Sequence, residues 1–232
     1  MKNIVVMSGA GMSAESGLKT FRDDNGLWEG HDVMAVASIE GWYKDPELVL
    51  EFYNQRRAQL LKVMPNDGHQ AIADLQAHFN VNIVTQNVDD LHERAGSKHV
   101  IHLHGELLKA CSVDDKAHVH ECLGDIKLGQ TGEDGEQIRP FIVWFGEDVP
   151  LLGAAARQVE QADIILIIGT SMQVYPAASL VEYAKPDCQV YYIDPNPQIN
   201  YALAQSQQLE VIQSSAGEAL PSLVKSLIAQ AN

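Results

Sequence analysis

Short apolar runs recur along this chain and alternate with longer stretches of helical periodicity. The runs are rich in β-branched residues and lack strict alternation of apolar and polar positions, which is typical of parallel strands covered on both faces. We predict strands at residues 4–7, 81–85, 164–168 and 190–193. We predict helices at residues 46–64, 68–79, 151–162 and 216–229. This alternation indicates an α/β fold with a Rossmann-like, doubly wound parallel sheet.

Two stretches interrupt the alternation. The first, residues 24–64, is mostly helical, and Asp45 and Pro46 suit the cap and first turn of its long helix. The second, residues 106–139, has few apolar side chains. We place both in a small helical and loop module beside the sheet. No linker is long enough to separate independent domains, so one domain is predicted over residues 1–232, with a Rossmann-like part at 1–23, 65–105 and 140–232 and the small module at 24–64 and 106–139.

Composition narrows the class of protein. Hydrophobic residues make up 46% of the 232 residues, which is enough for one sizeable core. The net charge of −15 argues against a nucleic-acid partner and fits either attraction of lysine-rich substrates or solubility alone. Three cysteines do not suggest a disulfide framework, and no apolar run approaches the roughly 20 residues of a membrane span. We therefore expect a cytoplasmic protein with no membrane partner.

Three polar segments directly follow predicted strands, at residues 9–17, 86–89 and 169–171. Ligands of doubly wound sheets bind at the carboxyl ends of the strands, so these segments should gather at one edge. Gly9, Gly11 and Ala14 form a Gly-x-Gly-x-x-Ala pattern, whose small residues let backbone N–H groups approach a pyrophosphate. The pattern alone also fits a glycine turn that binds nothing. No convincing acidic residue ends a second strand about 20 residues further on, which argues against an NAD dehydrogenase.

Five segments in this order resemble those of the sirtuins, which are NAD-consuming protein-lysine deacylases. They are residues 9–17 running on to 20–22, then 52–56, 85–89, 102–105 and 169–171. The resemblance covers most of the chain and implies NAD as co-substrate and acylated lysine side chains of other proteins as partners. It implies cofactor contacts from Gly9, Ala10, Gly11, Ser13, Ala14, Phe21, Arg22, Gln86, Asn87, Val88, Asp89, Gly169, Thr170, Ser171, Asp194, Pro195, Asn196 and Ala216.

The resemblance also implies individual roles within this set. Phe21 would shield the reactive ribose carbon, and Arg22 would lie beside the cofactor. Asn87, counted as catalytic, and Asp89 would contact the nicotinamide carboxamide and its ribose. On sequence alone, turn formation and helix capping explain Asn87 and Asp89 as well, and both roles can coexist. Asp194 stands where the family more often has Asn.

His102 lies within the apparent strand at residues 100–103, and His104 directly follows it. A neutral imidazole there can take a proton from a ribose hydroxyl near neutral pH. The sequence alone does not rank His102 against His104, and a given histidine is usually structural. The resemblance selects His104 as the catalytic base, with His102 as a supporting residue on the same face.

Tyr53 and Arg56 are neighbours at i and i+3 on a predicted helix. A phenol beside a guanidinium is a good carboxylate receptor, because Arg can bind in a bidentate way and Tyr adds a directed donor. Spacing alone favours an amphipathic helix whose Arg56 and Arg57 are solvated. The resemblance to class III sirtuins instead implies that Tyr53 and Arg56 bind the distal carboxylate of succinyl- and malonyl-lysine.

The segment at residues 141–147 is apolar with a glycine break, and its pattern predicts a core strand. It resembles the family segment whose edge pairs with the substrate peptide, a β-augmentation. The resemblance implies substrate contacts from Val143, Phe145, Gly146 and Glu147.

Family members usually hold a structural zinc ion with two Cys pairs, and a tetrahedral site needs four ligands. This chain has no Cys-x-x-Cys pair. Cys111 and Cys122 are the cysteines nearest the expected place, and His118 and His120 are irregularly spaced. The zinc-ribbon position is degenerate, and we expect no metal there.

The resemblance thus favours removal of acetyl, succinyl and malonyl groups from protein lysines, with release of nicotinamide and O-acyl-ADP-ribose. Two alternatives stay open. One is a mono-ADP-ribosyltransferase or NAD glycohydrolase that uses the same pocket, and Tyr53 and Arg56 disfavour the simple glycohydrolase. The other is a non-enzymatic NAD sensor, which His104 disfavours because nucleotide binding does not require a base.

Overall fold

A computed structural model describes residues 1–19, 27–28 and 30–231 of the protein, so the predicted contacts of Phe21 and Arg22 lie outside the described residues. Within these ranges, six parallel strands form the main sheet, in the order β11-β10-β9-β1-β4-β5. They are β1 (Asn3–Ser8), β4 (Asn80–Thr85), β5 (Val100–His102), β9 (Ile164–Ile168), β10 (Gln189–Ile193) and β11 (Leu209–Ile212).

The order of the strands reverses at β1, which pairs with β4 on one side and with β9 on the other. In open α/β sheets the ligand crevice lies at this reversal, outside the carboxyl ends of the strands. The turns after β1, β4 and β9 therefore meet at the crevice, as the sequence predicts.

Helices cover both faces of the sheet, which confirms the doubly wound α/β fold. On one face, α5 (Asp67–Leu75) and α9 (Ala216–Ala231) pack Ile72, Leu75 and Leu220 against the strands. On the other face, α7 (Leu152–Glu160) and a 3₁₀ helix (Ala177–Tyr183) pack Val159 and Leu180. Burial of these apolar side chains stabilises the sheet, at about 25 cal/mol per Å² removed from water.

The remaining elements lie mostly around the small module. They are α1 (Gly11–Ala14), β2 (Leu27–Trp28), β3 (His31–Asp32), α2 (Val33–Val36), α3 (Ile39–Lys44), α4 (Pro46–Leu60), α6 (Leu91–Arg94), β6 (Gly105–Ser112), β7 (His120–Glu121), β8 (Ile138–Ile142) and α8 (Tyr201–Ala204). As predicted, Asp45 caps α4, and its carboxylate accepts the N–H of Leu48 at 3.0 Å.

Three element predictions are wrong in their bounds. The helices predicted at 46–64 and 68–79 each end four residues early. They are α4, which ends at Leu60, and α5, which ends at Leu75, because turn-type hydrogen bonds replace the helical pattern beyond these residues. The predicted core strand at 141–147 is also wrong, since β8 ends at Ile142. The chain turns at Gly146, whose φ of 90° is unfavourable for residues with a side chain.

The small module has a core of its own. Here α4 packs against the three-stranded sheet β7-β6-β8, with Leu60, Leu107 and Trp144 among the buried side chains. The strand β6 was missed in the sequence because its buried positions do not alternate regularly and a polar loop follows it. By sheet membership, β8 joins this core rather than the six-stranded sheet.

Polar contacts stabilise the module from inside. Buried Arg57 donates hydrogen bonds to the carbonyl of Leu107, to Asn54 Oδ1 and to the carbonyl of Gly124. Buried Arg139 makes a two-point ion pair with Glu147 at 2.7 and 3.1 Å and stacks 3.4 Å from the centroid of the Trp144 ring. These hydrogen bonds from buried cations favour one arrangement of the loops around them.

The residues at the zinc-ribbon position do not fit a zinc ion. Cys111 is buried in β6, and the thiol of Cys122 donates to the carbonyl of Gly124. His118 pairs with Asp115 on the surface. Among the residues that the structure describes, no group of three or more His, Cys, Asp and Glu side chains could hold a metal ion.

Chelation should leave both the melting temperature and the activity unchanged, because the module is stabilised by packing and by Arg57 and Arg139. A structural zinc site would instead contribute folding free energy directly. The measurement is a melting curve with and without a chelator, beside elemental analysis. One zinc ion per chain together with a lower melting temperature after chelation would contradict the expectation, and Cys111, Cys122, His118 and His120 would be the ligands to test.

None of the helices in the described part of the chain is long and apolar enough to cross a membrane.

Candidate functional site

The glycine loop after β1 packs tightly against the turn after β9. Gly9 N–H donates to the carbonyl of Ile168 at 3.0 Å, and Gly11 N–H donates to that of Gly169 at 2.8 Å. A Cβ on Gly11 would lie 2.7 Å from the Gly169 Cα. The glycines are therefore needed for contact between the two turns, and these amides are engaged within the protein. The predicted approach of backbone N–H groups to a pyrophosphate would therefore use other amides of this loop.

A polar network joins this loop to the turn after β4. Ser13 Oγ donates to Asp89 Oδ2 at 2.9 Å and accepts from Asn87 Nδ2 at 3.1 Å. Asp89 Oδ1 also accepts the N–H of Leu91, the first residue of α6, at 3.2 Å. Burial raises the pKa of Asp89, and the hydrogen bonds from Ser13 and Leu91 oppose that shift. The network brings Ser13, Asn87 and Asp89 together, as predicted.

The turn after β9 is connected to the same network. Gln86 Nε2 donates to Thr170 Oγ1 at 3.2 Å, and Thr170 Oγ1 also accepts the N–H of Met172. Ser171 is partly exposed beside them. Side chains from the turns after β1, β4 and β9 thus form one continuous polar surface.

The two histidines that the sequence could not rank differ in their contacts. His104 is part-buried, and its Nδ1 lies 3.1 Å from the carbonyl of Gln86. Since a carbonyl only accepts, Nδ1 carries the proton and Nε2 of the neutral ring is the basic nitrogen. Burial lowers the pKa of His104, against the effect of the Gln86 hydrogen bond, so the ring is neutral at pH 7. Both nitrogens of His102 are engaged, by the Asn87 carbonyl and by Glu93.

A second pair of histidines, which sequence reasoning missed, lies below the network. His92 Nε2 is 2.9 Å from Ser8 Oγ, which itself donates to Thr85 Oγ1. The His92 ring packs edge-on against His69, with the centroids 4.9 Å apart. Burial lowers the pKa of His69 to about 4 and that of His92 well below its usual value. Both rings are therefore neutral at pH 7.

Tyr53 and Arg56 point into the module from α4. Tyr53 is fully buried, and its hydroxyl accepts the indole N–H of Trp144 at 3.1 Å. Burial raises the pKa of Tyr53 well above its usual value, so the phenol keeps its proton. The Arg56 guanidinium is largely buried and lies 4.2 Å from the centroid of the Trp28 ring. The alternative of a solvated Arg56 and Arg57 is wrong, because both are buried.

Trp28 and Trp144 were not among the predicted site residues. No local signal in the sequence places them there, because both tryptophans are far from Arg56 along the chain. Here the two rings contact the predicted carboxylate receptor from two directions.

The segment after β8 offers few free groups for a peptide. The amides of Val143 and Phe145 donate to the carbonyls of His104 and Ala37, and the Trp144 amide donates to Glu147 Oε2. Among the backbone groups of residues 143–147, the carbonyls of Val143, Gly146 and Glu147 and the amide of Gly146 have no hydrogen bond to a described residue. Any pairing with a substrate strand would use these groups.

Glu147 itself is held inside the protein. Its Oε1 contacts Arg139 and Lys116 at 2.7 and 2.6 Å, and its Oε2 contacts Arg139 and the Trp144 amide. Burial opposes ionisation, but the bonds from Arg139 outweigh it and lower the pKa of Glu147. These contacts favour a structural role for its carboxylate over the predicted contact with substrate.

The remaining predicted cofactor contacts lie in the turn after β10 and at the start of α9. Asp194 is buried, and its Oδ1 accepts the N–H of Asn196 at 2.8 Å, while Pro195 and Asn196 are exposed. Ala216 is buried at the first position of α9. Glu15, a residue that was not predicted, joins the glycine loop to this helix by accepting the N–H of Gly217 at 2.7 Å and the hydroxyl of Ser215 at 3.0 Å.

Known proteins are similar to this chain in sequence and in fold. The sequence profile of the Sir2 family matches residues 9–176. A protein from Helicobacter pylori named NAD-dependent protein deacylase is 56% identical over 232 residues, which is 100% of both chains. One of the same name from Bacteroides thetaiotaomicron is 51% identical over 98% of this chain and 99% of its own. A crystal structure of a Sir2 homologue in complex with NAD matches with a TM-score of 0.89 at 37% identity, covering 100% of this chain and 91% of that one.

Proposed function

The chain belongs to the Sir2 family, and from that premise we propose that it removes acyl groups from protein lysines with NAD as co-substrate, releasing nicotinamide and O-acyl-ADP-ribose. The observation that carries the proposal is the position of a neutral, singly tethered imidazole, His104, beside the network of Ser13, Asn87 and Asp89. A binding protein would need the network but not the base.

The donors and acceptors at this edge fit NAD. A primary carboxamide has both N–H donors and a carbonyl acceptor, and Asp89 and Asn87 offer the complementary carboxylate and amide. Both Asp89 oxygens carry one hydrogen bond each and can accept more. Gln86, Thr170 and Ser171 offer amide and hydroxyl groups that suit ribose and phosphate oxygens. When bound, NAD supplies the ribose carbon that loses nicotinamide and receives the acyl oxygen.

His104 acts as general base in this proposal. Its Nδ1–H bond to the Gln86 carbonyl leaves Nε2 to accept a proton from a ribose hydroxyl. The same carbonyl then stabilises the imidazolium that forms, because the Nδ1–H bond becomes charge-assisted. The lowered pKa of His104 keeps the ring neutral, and thus competent as a base, at neutral pH.

Tyr53 and Arg56 extend the proposal to the choice of acyl group. The protonated phenol and the guanidinium, supported by Trp144 and Trp28, can together bind a carboxylate. We therefore propose that succinyl and malonyl groups are preferred over acetyl, since acetyl has no distal charge to pair with.

The cellular setting follows from composition and cysteine state. The cysteines are free thiols, which favours a reducing compartment, and we propose the cytoplasm. The net charge of −15 gives no basis for nucleic-acid binding and favours substrates rich in lysine.

Mass spectrometry of acetyl-, succinyl- and malonyl-lysine peptides, each incubated with and without NAD, tests the proposed function. We expect each acyl group to be lost only when NAD is present. Release of nicotinamide with unchanged peptides would support a glycohydrolase instead, and a mass gain of one ADP-ribose would support a transferase. NAD binding without any turnover would support a sensor.

A further inference from the structure

Two imidazoles contact two consecutive carbonyls of the turn after β4. His104 Nδ1 lies 3.1 Å from the Gln86 carbonyl, and His102 Nδ1 lies 3.0 Å from the Asn87 carbonyl. The proposed reaction uses only His104. No step of that reaction involves His102.

The geometry around His102 requires a charged ring. Its Nε2 lies 2.7 Å from Glu93 Oε1, and the side chain of His102 is only 7% exposed. A backbone carbonyl and a carboxylate both accept and do not donate, so both ring nitrogens must carry protons to bond with them. An imidazolium meets this requirement, whereas a neutral ring loses one of the two bonds.

Asn87 is the residue that this ring fixes. Its backbone N–H is bonded to Thr85 Oγ1 at 3.0 Å, its side-chain amide to Ser13, and its carbonyl to His102. The orientation of the side-chain amide therefore depends on three tethers, and only the one from His102 carries a charge that pH can remove.

We propose that His102, held by Glu93, is a positioning residue that orients Asn87 for cleavage of the nicotinamide bond, and that loss of its proton sets the alkaline limit of activity. This inference rests on the proposed function. His102 does not touch the reacting atoms and acts through Asn87.

The charges around His102 support this protonation state. Burial acts to lower its pKa, but the hydrogen bond and charge of Glu93, the Asn87 carbonyl and the charge of Glu106 outweigh burial, and the pKa is raised. Asp89 faces the ring from the turn before α6, and burial raises the pKa of its carboxyl, a shift that the positive charge of His102 partly opposes. His92, which lies on α6, is neutral and therefore adds no positive charge that would oppose protonation of His102.

His102 and His104 thus differ in protonation state, although they are only two positions apart in the sequence. The pKa of His104 lies below, and that of His102 above, the usual histidine value of 6.5. Between the two, the base is neutral and the positioning ring is charged, which is the combination that the reaction needs. Activity should fall in acid as His104 takes up a proton and in alkali as His102 loses one.

The test is the pH profile of kcat for wild type, Glu93→Gln and His102→Gln, with exposed Glu160→Gln on α7 as the matched control. Glu93→Gln should move the alkaline limb to lower pH, because a neutral amide no longer favours the charged ring. His102→Gln should remove that limb and lower kcat about 10- to 100-fold, as expected for misplacing a reacting group, with KM for the peptide unchanged. The acid limb should stay in place in both variants.

An NMR titration of the histidine ring signals gives a readout that does not require turnover. The His102 signal is identified by its loss in His102→Gln, and its midpoint should lie above 6.5 in wild type and fall in Glu93→Gln. A midpoint at or below 6.5, or an alkaline limb of kcat that is the same in all variants, would overturn the inference. A wild-type protein with no NAD-dependent deacylation at any pH would instead overturn the proposed function, while the titration still decides whether the ring is charged. Melting curves check that each variant is folded.

Discussion

Replacing His104 with Ala should lower the rate of deacylation about 10²–10⁴-fold, the usual contribution of a general base, while NAD still binds. The reason is that the base acts after binding, and the described hydrogen bond that the His104 side chain makes within the protein is the one to the Gln86 carbonyl. The measurements are kcat/KM for a succinyl-lysine peptide and the affinity for NAD by calorimetry.

His99→Ala is the matched control, because His99 is exposed and lies just before β5 on the same segment. It should leave both kcat/KM and NAD affinity unchanged. Wild-type turnover in His104→Ala would remove this residue from the mechanism. Loss of NAD affinity in step with turnover would make it a binding residue.

Arg56→Met should raise KM for the succinyl-lysine peptide far more than for the acetyl-lysine peptide. Loss of a charge-assisted hydrogen bond costs about 1.5–3 kcal/mol, which corresponds to a factor of roughly 10–150. Tyr53→Phe should act in the same direction but less, since it removes one neutral donor and keeps the ring. The measurement is kcat/KM for both peptides in both variants.

Gln55→Met provides the control, since Gln55 is exposed on the same helix and receives the same new side chain. Arg56 also stacks on Trp28, so a melting curve must separate lost selectivity from lost stability. Equal losses on the two peptides would mean that Arg56 supports the fold of the module, and the preference for acidic acyl groups would lose its main support.

The main sheet and its binding edge could be predicted because they depend on local signals. Buried parallel strands are short β-branched runs, and the polar turns at 9–17, 86–89 and 169–171 directly follow them. The small module was harder to predict. Its strands β6 and β8 pair across a polar loop of about 25 residues, and such non-local pairing leaves little periodic signal in either strand.

Contacts within the site were also beyond the sequence. The sequence predicts that the loop of Gly9 and Gly11 binds a pyrophosphate. In the structure the amides of these two glycines donate hydrogen bonds to the turn after β9, more than 150 residues away along the chain. Likewise, His102 and His104 look equivalent in sequence. Only the positions of Glu93 and the two carbonyls reveal that one ring is held by two acceptors and the other by one.

The central claim is that consumption of NAD and removal of the acyl group are one reaction. The most direct measurement follows a succinyl-lysine peptide labelled with ¹³C in the acyl group, with nicotinamide, free lysine peptide and labelled ADP-ribose ester quantified at early times. The account predicts equal amounts of all three products, with the label on the ADP-ribose ester, and none of them without NAD. Nicotinamide formed in excess over free lysine, or label released as free succinate without passing through the ester, would contradict it.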